Sequence, residues 1–111
     1  MKQTPTSRRV NEELREKIAN VLLFQVSDPR LELVTVTDVE VSKDREVANV
    51  YVSADASRYD EVMEGLEAAK GRIRSLVGKS LGWRVTPELR FFIDPSVDAA
   101  ERIASLFSDE D

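Results

Sequence analysis

Residues 69–94 read AKGRIRSLVGKSLGWRVTPELRFFID, and their reading decides the fold. Ile73, Leu76, Val77 and Leu81 fall at helical spacing and continue a stripe that begins at Val62, Leu66 and Ala69. Gly71 sits at the joint, so the spacing predicts one helix over 59–69 and a second over 72–81. Gly78 and Gly82 weaken and end the second. From residue 84 to 93 the pattern changes to alternation. Val85, Leu89, Phe91 and Ile93 share one face, and Thr86, Glu88, Arg90 and Phe92 take the other. Pro87 is tolerable near a strand start or on an edge. The stretch is therefore a helix, a break, a helix and a strand.

Upstream, LVTVTDVEV at 33–41 and VANVYVS at 47–53 are β-branched and extended in character. The polar connection 42–46 has hairpin length, so the two strands pair antiparallel. A helix is predicted over 7–26, with Val10, Leu14, Ile18, Val21, Leu22 and Val26 in one apolar stripe. Thr6 or Ser7 can cap its start, and Ser27-Asp28-Pro29 ends it. Residues 96–107 are expected to form a short last helix through Val97, Ala100, Ile103 and Phe107. The element order is α-β-β-α-kink-α-β. A long crossover from the second strand to the third favours a parallel neighbour. The fold class is α+β: a three-stranded mixed sheet with helices over one face.

The length of 111 residues suggests one domain, taken as residues 1–107, with 108–111 as an acidic tail. Hydrophobic residues make up 41% of the chain, enough for one modest core. The net charge of -5 argues against a nonspecific nucleic-acid coat, but the charge is segregated. Residues 28–68 hold eleven acids and four bases, whereas residues 69–90 hold six bases and only Glu88. The first seventeen residues add five bases. One face is thus reserved for a polyanion. The N-terminus has no apolar core and no apolar run approaches membrane-spanning length, so a cytoplasmic location without membrane association is expected.

The chain has no Cys and no His, which removes disulfides, thiolate chemistry, imidazole acid–base work and the usual zinc ligands. Gly78-Lys79-Ser80 resembles the end of a phosphate-binding P-loop, but the required first glycine falls at Ile73. No catalytic, cofactor or metal site is expected. Ala69-Lys70-Gly71 reads either as a glycine kink or as a joint whose backbone approaches a nucleic-acid strand. In the second reading the following helix offers its N-terminus to phosphate, with Lys70, Arg72 and Arg74 around it. Arg8 and Arg9 join that face only if the fold brings the first helix beside residues 69–84. Arg15 and Lys17 can pair with Glu12, Glu13 or Glu16 on their own helix. Trp83 could stack on a base, but a core position is preferred. Phe91 is assigned to the core and Phe92 to the underside of the 96–107 helix.

Four stretches together resemble bacterial ribosome-binding factor A along nearly the whole chain: SRRVNEELREKIANVL, VTVTDVEVSKDREVANVYVS, AAKGRIRSLVGKSL and RVTPELRFFID. Pro-Glu-Leu-Arg-Phe with Asp94 after it, and Ala-Xaa-Gly at 69–71, are quite specific in that order. The resemblance implies a type II KH-like fold. It also implies binding to the free small (30S) ribosomal subunit and support of late 16S rRNA maturation and processing, including in the cold. The Gly-Xaa-Xaa-Gly loop of the usual KH module is absent, and Ala69-Lys70-Gly71 stands in its place. That departure favours docking on structured RNA through phosphates. The expected RNA-binding residues are Arg8, Arg9, Lys70, Gly71, Arg72, Arg74, Lys79 and Arg84, with Ala69, Lys70 and Gly71 as the kink. The expected partners are the small subunit and its rRNA, met by a chain that is monomeric when free. The alternative is a protein-binding adaptor that uses the acidic surface.

Overall fold

The structure, a computed structural model, describes residues 5–94. The first helix, α1, runs Pro5–Phe24. Thr6 and Ser7 lie inside it, so neither is its cap; proline suits a first turn, where its missing N–H has no partner to lose. Leu14, Ile18, Val21 and Leu22 are buried as the stripe predicts, and Val10 is half-buried. The chain then makes a 3-10 turn at Pro29–Leu31, which Asp28 caps through its bond from the Arg30 N–H at 2.9 Å. Strand β1 (Thr35–Val41) and strand β2 (Val47–Ser53) form the antiparallel hairpin. The second helix, α2, runs Tyr59–Leu81, and β3 (Glu88–Ile93) closes the sheet. The strand order is β1-β2-β3, with β3 parallel to β2.

The helices cover one face of the sheet. Val36 and Val39 of β1, Ala48, Val50 and Val52 of β2, and Leu89 and Phe91 of β3 are buried beneath them. Each large apolar side chain among them contributes about 1.5–3 kcal/mol when fully buried. The other face carries Asp38, Glu40, Glu88 and Arg90, all exposed, around a tilted stack of Tyr51 on Phe92. A bulge between Val36 and Asp38 frees Thr37 from the ladder. Its hydroxyl reaches the Asp94 carboxylate at 2.6 Å and the Tyr51 carbonyl at 3.2 Å, which links β1 to the end of β3 across β2.

Two further expectations need correction. The helix–break–helix at Ala69-Lys70-Gly71 is one continuous α-helix that ends at Gly82, which takes the left-handed cap (φ 69). Val62, Leu66, Ile73, Val77 and Leu81 are buried along it, and Ala69 is partly buried. Burying this one stripe outweighs the roughly 1 kcal/mol that a mid-helix glycine costs. The second correction is that β3 starts at Glu88 rather than residue 84, leaving Val85 53% exposed. Phe92 packs on Tyr51 at 5.7 Å between ring centroids and is 43% exposed. Its expected partner helix at 96–107, and the tail at 108–111, lie outside the described residues.

Candidate nucleic-acid interface

One polar contact sets the position of α1. Asn11 is buried, and its side-chain oxygen accepts the Val41 N–H at 2.9 Å. The start of α1 is thereby held at the end of β1, beside the hairpin turn. The end of α2 reaches the same turn: the Arg45 guanidinium lies 5.0 Å from the centroid of the Trp83 ring. The Glu88 N–H also donates to the Glu46 carbonyl at 2.8 Å. Arg8 and Arg9 of α1, Lys79 of α2 and Arg84 therefore share one end of the molecule with Lys43 and Arg45 of the turn. The sequence left open whether α1 comes beside residues 69–84, and the structure brings it there.

The cations of α2 fall on separate flanks. At about 100° per residue, Arg72 and Lys79 are two turns apart on one flank, and Lys70 and Arg74 lie on another. Gly71, Ser75 and Gly78 lie between them, and together with Arg74 and Thr86 they line a groove. A side chain at Gly71 would meet nothing within 4 Å, so the helix backbone there is open to close approach. At Gly78 the Thr86 hydroxyl already lies 2.6 Å from the position of a Cβ. Because α2 is continuous, there is no helix N-terminus at Arg72. The N–H groups there are not freed for phosphate, and that part of the sequence reading is overturned.

The predicted site residues are not equivalent. Arg8, Arg9, Arg72, Lys79 and Arg84 are exposed and have no ion-pair or hydrogen-bond partner among the described residues. Lys70 is paired with Glu67 at 3.0 Å. Arg74 is turned onto the loop before β3, donating to the Thr86 carbonyl at 2.7 Å and the Pro87 carbonyl at 3.1 Å. It fixes that loop. Arg15 is engaged by Glu12 one turn away, which holds the Glu12 carboxyl below its ordinary range. Lys43 and Arg45 were missed by sequence reading, because a turn of mixed charge gives no sign of where it will lie. Among the described residues no group of three or more acids could hold a metal ion, and no helix is long and apolar enough to cross a membrane.

Comparison with known proteins agrees with this architecture. The family model described as ribosome-binding factor A matches residues 6–107. The crystal structure of ribosome-binding factor A from Thermus thermophilus is 29% identical with a TM-score of 0.71, over 78% of this chain and 94% of that one. The solution structure of a putative ribosome-binding factor A from Thermotoga maritima is 35% identical with a TM-score of 0.70, over 83% and 90%. A homology model of the Thermus thermophilus factor, fitted into a cryo-EM map of its complex with the 30S, is 26% identical with a TM-score of 0.56, over 85% and 97%.

Proposed function

We propose a function from one premise: the chain belongs to the ribosome-binding factor A family. It is a ribosome-binding factor of α+β, KH-like fold. Its target is the free small ribosomal subunit, which it meets as a monomer and contacts through rRNA phosphates. Binding supports late maturation and processing of 16S rRNA, including at low temperature. The observation that carries this reading is the family match over residues 6–107. The complex of the Thermus thermophilus factor with the 30S supports the choice of subunit. The cations Arg8, Arg9, Arg72, Lys79 and Arg84, which have no partner among the described residues, support phosphate contact.

A protein without an active site can promote maturation by holding one rRNA conformation. It shifts the population toward that conformation by its difference in affinity for the two states. Phosphate contacts position the protein, and rRNA shape selects the place. Nucleases carry out the cutting.

Co-sedimentation with purified subunits tests this. The chain should pellet with free small subunits and not with large ones. Arg72→Glu combined with Lys79→Glu should remove most of that binding while leaving the circular dichroism spectrum unchanged. In cells the double variant should accumulate precursor 16S rRNA and grow slowly in the cold. Full binding by a folded double variant refutes this face as the site. Binding that survives nuclease and high salt would point instead to an adaptor working through the acidic surface.

A further inference from the structure

The turn at 42–46 and the loop after α2 meet at the basic end, and two of their side chains are arranged in an unusual way. Arg45 has φ 59, the left-handed region that a non-glycine residue occupies at a cost. Its side chain lies over Trp83, with the guanidinium carbon 5.0 Å from the ring centroid. Trp83 is partly buried and packs against the core, so only part of the indole is committed there. The exposed Arg45 covers a ring face. The turn beneath it is held firmly: the Asp44 carboxylate accepts the Ser42 hydroxyl at 2.6 Å and the Glu46 N–H at 3.0 Å.

Indole faces and arginine planes are the surfaces on which proteins stack unpaired RNA bases. We propose that Trp83 and Arg45 form a nucleotide subsite. An unpaired base of folded rRNA stacks on the indole, and Arg45 moves to the phosphate of that nucleotide. The subsite rests on the reading of the chain as an rRNA-binding factor. The exchange is favourable in kind: base stacking on an aromatic face exceeds an exposed cation–π contact, and the guanidinium regains a charge-assisted bond. Lys79 and Arg84 at the same end draw the phosphate in. The stacked pair of Tyr51 and Phe92 is unsuited to this role. Burial, with the charges of Glu40 and Asp38 next, raises the Tyr51 phenol above its ordinary value, and those acids repel phosphate.

The chain has one tryptophan, so 7-azatryptophan incorporation places a single probe at position 83. That probe can be excited apart from the tryptophans of ribosomal proteins. The labelled full chain is titrated with free small subunits while emission and co-sedimentation are followed together. Emission should change with the midpoint of binding. Arg45→Gly should weaken binding roughly tenfold without lowering the melting temperature, because glycine adopts this φ freely. Trp83→Leu keeps an apolar contact with the core and should weaken binding to a similar degree. Binding with unchanged emission, together with parental affinity in Arg45→Gly, overturns the subsite and leaves the small-subunit reading intact. A lowered melting temperature in Arg45→Gly at parental affinity assigns the pair to holding the loop and also overturns the subsite. Failure of the parent chain to bind small subunits overturns the functional reading itself.

Discussion

Gly71 and Gly78 lie two turns apart on one helix, carry the same intrinsic penalty and yet serve different ends. At Gly71 nothing lies within 4 Å of a Cβ, whereas at Gly78 the Thr86 hydroxyl occupies that space. Gly71→Ala should therefore raise stability by about 0.5–1 kcal/mol, read from the urea midpoint. If rRNA approaches the bare backbone, the same change should weaken small-subunit binding. Gly78→Ala gains the same propensity but must displace Thr86, so it should be net destabilising. Adding Thr86→Ala should restore much of the loss, giving a clear coupling in the double-mutant cycle. Equal effects of alanine at the two glycines would refute the assignment. The sequence marks both positions as helix breakers, because composition records the glycine penalty and not the surroundings. The burial of Leu66, Ile73 and Val77 along one stripe decides against a break.

At the level of elements, one device recurs. Asp28, Asp44 and Asp55 each accept the backbone N–H two residues on, from Arg30, Glu46 and Ser57. Each starts a turn, as short carboxylates do. The first two turns are legible as Ser27-Asp28-Pro29 and the 42–46 connection. The late start of β3 is not legible, because Arg74 takes the carbonyls of Thr86 and Pro87 from another element. All three aspartates are held below their ordinary pKa. The main causes are the side-chain bonds from Arg30 to Asp28, from Ser42 to Asp44 and from Ser57 to Asp55. In the unfolded chain they titrate near about 3.9. Their stabilisation is thus complete above that value and is lost as pH falls through the lower folded values. The chain lacks histidine, the side chain that ordinarily titrates between about pH 5 and 8. Stability should be flat across that window and fall below about pH 4. Asp44→Asn, whose amide oxygen still accepts the N–H but does not titrate, should make the acid limb shallower. A drop in the urea midpoint already between about pH 7 and 6 would contradict this assignment.

Across the whole molecule, an acidic chain gathers cations at one end, and on the proposed reading that end faces a polyanion. The chain's charge segregation is legible in the sequence, but the shared basic end is not. That end depends on Asn11 meeting Val41 and on Glu88 meeting Glu46, contacts between elements distant in sequence. Cations with and without a partner among the described residues should then separate in a salt titration. Each phosphate contact releases counterions, so removing one lowers the slope of log K against log salt by roughly 0.7–0.9. Arg72→Gln and Lys79→Gln should each produce that decrement in small-subunit binding, because neither has a partner among the described residues. Lys70→Gln should change the slope far less, since Glu67 already neutralises it. Arg74→Gln should lower the melting temperature instead, because it releases the loop before β3. Identical slopes for all four variants would mean that net charge alone, and not the arrangement of these side chains, governs binding. A full decrement at Lys70 would mean that its pair with Glu67 opens on the subunit.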